Sequence, residues 1–269
     1  MRAFQPIPDS LDVGEIRRIA GLHGASELTL EVYSELPSTS RLLMEKCSAG
    51  EQVAPFVIIA DWQTGGVGRR GKSWLSVPGN ISFSVLDHFD LPVARLMAVS
   101  LVTGVTVATV LRELAGIDCR LKWPNDVIVD NSKLAGLLIE VPKSTAEFSK
   151  VVTGIGINYK LPDGVGAVGQ AVTSIAGLCE KPPSRNDIIG NILGRLQKNY
   201  QDYQQNGLRN FVQQWHELDY LYDKPVRIIQ GDSQLEGVAR GVSENGELLV
   251  WIDDKLRSFH SGEVSVRRR

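Results

Sequence analysis

The sequence predicts an α+β protein: a central mixed β-sheet with helices on one face, plus a small C-terminal SH3-like β-barrel. Three observations predict this. Strand-type runs dominate from Cys119 to Ile157. Long amphipathic helical runs stand before and after them. Beyond Asp223 only five short strand-type runs remain, separated by tight turns, which reads as a small appended barrel.

In chain order, Ser10 to His23 predicts a short helix with Leu11, Ile16 and Ile19 inward. Leu28 to Tyr33 is the first clear strand. Ser38-Thr39-Ser40 precedes the apolar run Leu42 to Cys47, a helix N-cap signal. Phe56 to Ala60 and Ile81 to Leu86 read as strands flanking a glycine-rich segment. Pro92 opens a long helix running to Gly116. Strands follow at 120–123, 127–129, 134–141 and 151–157, with Asp130-Asn131-Ser132 as a hairpin turn. A Gly/Pro-rich loop from Leu161 to Gly169 leads to a helix carrying Asp187 near its start and a second from about Leu208 to Leu218. Asn245-Gly246 and Asp253-Asp254 supply turns between the last strands. The expected division is 1–27 as an N-terminal extension with a short helix, 28–221 as the main domain and 222–269 as the small β domain.

At 269 residues, 43% apolar and 22% charged, the chain is of ordinary globular type. A formal net charge of −2 gives no global basic field for nucleic acid. Cys47, Cys119 and Cys179 are odd in number and in no metal spacing, so structural thiols in a reducing, cytoplasmic setting are expected. The N-terminus lacks a signal-peptide core, and the apolar stretch from Leu96 to Val110 is too interrupted by Ser, Thr and Gly for a membrane span.

Four motifs carry chemistry. From Gly66 to Ser73 the chain satisfies G-x-x-x-x-G-K-[ST], but a turn and a strand follow instead of a helix, so the amides and dipole that make a P-loop work are missing. A glycine loop carrying Arg69, Arg70 and Lys72 remains, suited to closing over an anion. Lys122-Trp123-Pro124-Asn125-Asp126 ends a strand, where polar groups converge on a ligand or simply turn the chain. Lys133-Leu134-Ala135-Gly136 places a lysine at the lip of a strand, either a solvated edge charge or a group polarising a phosphate or carboxylate. Gly154-Ile155-Gly156-Ile157-Asn158 sets glycines inside a strand, marking a bulge or a close approach.

Together with Ser38-Thr39-Ser40, Gln63 and Trp74, this ordered set resembles the biotin protein ligases, from about Leu28 to the C-terminus. The resemblance implies a class II synthetase-like catalytic core and conversion of biotin and ATP to biotinyl-5′-AMP. Transfer to a lysine of a biotin carboxyl carrier protein would follow. It implies Lys133, Arg69 and Asp126 as catalytic residues. Biotin would meet Ser38, Thr39, Ser40, Gln63, Gly66, Val67, Gly68, Arg69, Trp74, Lys133 and Gly136. The nucleotide would meet Arg69, Arg70, Lys72, Lys122, Trp123, Asn125, Lys133 and Asn158, with Mg2+ held mainly by phosphates. A homodimer through the main sheet is implied as an option, without membrane association. Family members that repress genes carry an N-terminal winged helix, for which the segment before Leu28 is too short, so no DNA partner is expected.

Three departures from the family pattern stand out. Ser40 replaces an asparagine, Val67 replaces the first arginine of the glycine loop, and 169–175 carries no aromatic to stack on adenine. Competing readings are a lipoate or octanoate ligase-like acyltransferase, a binding protein that holds the adenylate without transfer, and a P-loop NTPase.

Overall fold

The computed structural model describes residues 9–50, 54–162, 171–262 and 264–268. Its main sheet has seven strands in the order β1-β2-β3-β7-β6-β5-β4. These are β1 (Thr29–Leu36), β2 (Phe56–Gln63), β3 (Ile81–Phe89), β4 (Arg120–Lys122), β5 (Asp126–Val129), β6 (Ser132–Ser144) and β7 (Ser149–Ile157). β1 and β2 run parallel and every other neighbouring pair is antiparallel, so the sheet is mixed. The β5–β6 turn places Asp130 and Asn131 at φ 45 and 72, left-handed values that Asp and Asn tolerate.

Alternation along β2 assigns its two faces. Val57 and Ile59 join the large core with Phe83 and Val85, under α1 (Val13–Gly21), α3 (Val99–Ala115) and α5 (Arg185–Asn206). Phe56, Ile58 and Ala60 point the other way, into a small cluster with Leu43 and Cys47 of α2 (Thr39–Ser48). α1, α3 and α5 thus share one face, while α2 packs at one end of the other. The uncovered part of that second face receives the glycine loop.

The helix expected to open at Pro92 begins instead with a single 3-10 turn, Val93–Arg95, and α3 proper starts at Val99 and stops at Gly116, whose φ of 65 caps it. By length and composition alone, Val93–Ala115 is apolar enough to cross a membrane, contrary to the sequence reading. Its role is set by packing: Val99, Val102, Val107, Val110 and Leu111 are fully buried between the sheet and α5. The segment expected as one helix from Leu208 splits into a 3-10 turn, Gly207–Asn210, and α6 (Val212–Leu218). A short α4 (Ile175–Leu178), capped by the Ser174 hydroxyl, was not foreseen. Most of the Leu161–Gly169 loop lies outside the described residues.

Beyond α6, β8 (Pro225–Gln230), β9 (Ser233–Val242), β10 (Leu248–Ile252), β11 (Lys255–Phe259) and β12 (Ser265–Arg268) form an antiparallel five-stranded sheet in the order β11-β10-β9-β8-β12. Its Asn245-Gly246 turn packs on the start of α3, so closely that a Cβ on Gly246 would lie 2.9 Å from that of Ala98. The Trp123 indole, 2% exposed, donates to the Gly246 carbonyl at 3.0 Å. A buried N–H finds its partner there, and the two sheets are pinned together.

On β3, Asp87 is buried under α5, accepts one hydrogen bond from Gln197 Nε2 at 2.8 Å and leaves Oδ2 without a partner. Burial pushes its carboxyl up to about 6, the Gln197 bond opposing. Because the folded state binds this proton more tightly than the unfolded chain, the group favours folding most below pH 4 and loses that contribution as pH rises through 6. Asp87→Asn is therefore expected to raise unfolding free energy by up to about 3 kcal/mol at pH 7.5 and to match wild type near pH 4, read from urea melts.

Candidate active site

A cavity opens on the sheet face that α2 leaves free, and it is lined by α2, β2, the glycine loop, β3, β6 and β7. At one end stand Thr39, Ser40, Gln63 and Ser84. The Thr39 backbone N–H donates to Gln63 Oε1 at 2.8 Å, and since an N–H only donates, the amide orientation is fixed. The Thr39 hydroxyl donates to the same oxygen at 3.1 Å. Its one proton is thereby used, so at the 2.7 Å Thr39–Ser84 contact the Ser84 hydroxyl is the donor. Ser84 lone pairs and Gln63 Nε2 are left to face a ligand: an acceptor beside a donor, complementary to adjacent N–H and C=O groups. Ser38 caps α2, accepting from the Arg41 N–H, and lies 3.3 Å from the Ser40 hydroxyl. Behind Ser40, burial raises the Glu140 carboxyl, while the Ser40 hydroxyl and Arg41 oppose the shift.

The cavity floor is a platform of glycines. Gly136 and Gly156 are register partners on β6 and β7, as are Leu138 and Gly154. Trp74 lies on this platform, so that a Cβ on Gly156 would come within 2.5 Å of its ring and one on Gly136 within 2.9 Å. None of these three glycines has positive φ, so close approach, not backbone freedom, requires them. The free volume in this ligand-free state is about 60 Å3. Trp74, whose Nε1 is buried without a partner, lines it.

The charged end draws on separate segments. The Lys133 amine lies 2.6 Å from Asp126 Oδ1 and 5.3 Å from the Trp74 ring. Arg69 donates to Asn125 Oδ1 at 3.3 Å and to the Ser261 carbonyl at 2.7 Å. Burial and then the like charge of Arg70 lower the Arg69 guanidinium below its ordinary value, Asp126 opposing. Lys122 is lowered by burial, with Asp126 opposing and Lys133 and Arg267 adding like charge. Positive charge held partly out of water beside one carboxylate makes this end a receptor for anions. Among the described residues no group of three His, Cys, Asp or Glu is placed to hold a metal.

Of the residues singled out from sequence, the structure brings Thr39, Ser40, Gln63, Val67, Gly68, Arg69, Trp74, Asn125, Lys133 and Gly136 to this one cavity. Asp126 joins through Lys133, Ser38 through Ser40, and Asn158 by donating from Nδ2 to the Lys133 carbonyl at 3.2 Å. Gly66 packs behind the loop, where a Cβ would meet the Trp74 carbonyl at 2.6 Å. Lys72 lines a neighbouring groove of about 500 Å3 with Arg41 and Trp62. Arg70, implied at the nucleotide by the resemblance, does not line this cavity and donates instead to the Gly262 and Val264 carbonyls of the C-terminal domain. Trp123 is a correction: expected near nucleotide, it is buried under the Asn245-Gly246 turn, because a strand-end indole needs a partner and the second sheet supplies one. Sequence reading missed Ser84, recognisable only by its place in the Ser82-Phe83-Ser84 alternation of β3. The glycine loop contains only a 3-10 turn, Arg69–Gly71, and no helix opens at Lys72-Ser73, which removes the P-loop reading.

The sequence profile of the biotin/lipoate A/B protein ligase family matches residues 32–158, and that of the biotin protein ligase C-terminal domain matches 222–267. The bifunctional ligase/repressor BirA of Escherichia coli is 31% identical over 266 residues, spanning 97% of this chain and 80% of that protein. The biotin--[acetyl-CoA-carboxylase] ligase of Mycobacterium tuberculosis is 28% identical over 248 residues, 90% of each chain. Among solved structures, biotin protein ligase from Aquifex aeolicus in complex with biotin and ATP superposes with a TM-score of 0.77 at 28% identity, covering 90% of this chain and 99% of that one. With its mixed sheet and cation-lined cavity, the chain is a member of the biotin/lipoate protein ligase family. Within that family it belongs to the biotin protein ligases.

The platform gives a structural test. Gly156→Ala should expel the Trp74 indole at a cost of about 1–3 kcal/mol, read as a red-shifted, more quenchable tryptophan emission. Gly154→Ala, whose Cβ would meet nothing nearer than 3.5 Å, should leave the spectrum unchanged.

Proposed function

We propose that this protein activates biotin with ATP as biotinyl-5′-AMP and passes the biotinyl group to a lysine of a biotin carboxyl carrier domain. One observation carries the reading: Lys133 and Arg69, from segments far apart in the chain, line a single cavity whose other end is set for a urea. The chemistry needs two anions brought together and then a reactive anhydride kept from water. The biotin carboxylate attacks the α-phosphorus and pyrophosphate leaves. The acceptor amine then attacks the acyl carbon and AMP leaves. Lys133 is suited to hold carboxylate and α-phosphate together, since an anion that displaces Asp126 from its amine meets a charge already in place. Arg69 reaches over the adenylate from the loop. Asp126, once released, is within one side chain of the reaction and takes or orients the acceptor proton. Mg2+ fits as an ion carried on the nucleotide phosphates, given the donors present, and would offset their charge.

Ser84 and Gln63 favour biotin over lipoate, because a dithiolane has no N–H or C=O to satisfy that polar pair. Ser40 and Val67 leave room where longer polar arms are usual. The reading includes the division at about Leu221, a cytoplasmic setting and no DNA partner, since α1 spends Ile16, Ile19 and Ala20 on the core. A homodimer through the main sheet has a site to form: β5 begins level with Gly136, and the outer edge of β6 continues beyond it to Ser144.

Two measurements test this. Isothermal calorimetry should show biotin binding and no lipoate binding; the reverse overturns the assignment. Lys133→Ala should lower pyrophosphate release with biotin and Mg-ATP on the order of a thousandfold with an unchanged thermal melt, whereas near-normal turnover removes Lys133 from its role.

A further inference from the structure

The two adjacent arginines of the glycine loop face opposite ways. Arg70 has φ 56 and ψ 36, a left-handed conformation inside the 3-10 turn Arg69–Gly71. That reversal sends Arg69 inward over the cavity and Arg70 outward, where its Nη2 donates to the carbonyls of Gly262 and Val264, each at 3.0 Å. Non-glycine residues adopt this conformation at a cost, and here the guanidinium bonds to the C-terminal domain oppose it. Within itself the loop is a small flap, closed by Gly68 N–H to the Lys72 carbonyl at 2.7 Å and Trp74 N–H to the Gly66 carbonyl at 2.9 Å. Those bonds shape the flap but do not fix it to the rest of the molecule. Among the described residues, the side-chain bonds from its tip to other segments run through Arg69 and Arg70, while Val67 contributes none.

Arg69 cannot serve as the permanent tether. Its bonds to Asn125 and Ser261 compete with any anion that enters the cavity it lines. Arg70 does not line that cavity, so its two bonds survive when the site fills. We propose that Arg70 is a positioning residue that latches the glycine loop to the C-terminal sheet domain. The second domain thereby helps keep the activated acyl group from water and from stray amines. This rests on the functional reading above and assigns the C-terminal domain a part in retaining the intermediate.

The test uses the full chain as wild type, Arg70→Ala and Arg70→Lys. Formation of biotinyl-adenylate from biotin and Mg-ATP should be within about twofold of wild type in all three, because Arg70 touches neither the cavity nor Lys133. Leakage, read as biotinylation of serum albumin without carrier domain, should rise about tenfold in Arg70→Ala, the order expected for losing a charge-assisted anchor. Arg70→Lys, able to reach one carbonyl, should fall between. Hydrogen exchange without substrates should quicken in Arg70→Ala at Gly68–Lys72 and at Ser261, Gly262 and Val264, and nowhere in the main sheet. Unchanged leakage, or leakage that rises only as adenylate formation falls, overturns the latch, as does unchanged exchange. The exchange arm needs no turnover: a wild type that makes no adenylate but shows the exchange change would reject the functional reading and keep the contact.

Discussion

The structure is organised around a concentration of positive charge that is half out of water. Arg69, Lys122 and Lys133 come from three separate segments, and Asp126 is the carboxylate beside them in the ligand-free state. Burial depresses Arg69 and Lys122, so the fold tolerates these charges at a cost that an incoming anion relieves. Lys133 is fixed by its 2.6 Å pair with Asp126 and by the Trp74 ring, which leaves its amine ready instead of searching. Every other feature of the site arranges something around that cluster.

The glycines are the clearest case. Gly136 and Gly156 lie side by side on neighbouring strands, flat enough for an indole to rest on the backbone. α2 ends short of them, so a sheet face that would otherwise be covered by a helix stays open. The polar end depends on the same economy of space. One backbone N–H at the start of α2 fixes the Gln63 amide, which fixes the Thr39 proton, which fixes the Ser84 proton. A cap that begins a helix thus also sets the polarity of a binding surface.

The second domain is part of the site, not an appendage. Trp123 and Gly246 pin the two sheets, Ser261 holds Arg69, and Arg267 adds charge beside Lys122. The lysine- and asparagine-bearing turn at 122–126 therefore sits between the domains, and its tryptophan belongs to their joint.

Much of this was legible in the residues. Ser38 announced the start of α2, Asp130-Asn131 the hairpin that presents Lys133, and the missing helix after Lys72-Ser73 ruled out a P-loop. Those signals are local: a cap, a left-handed turn and a helix register each depend on a few neighbouring residues. The main misplacements were non-local. Trp123 looked like a ligand contact because nothing in its own strand names Gly246, more than a hundred residues away, as its partner. Arg70 looked equivalent to Arg69 until the backbone reversal between them was visible. The sequence alone determined which side chains are available, where the chain turns and which family it resembles. Only the tertiary structure decided which cations share a cavity, which way each hydroxyl must donate and which arginine faces the second domain, because those depend on distances between segments that the chain brings together only by folding.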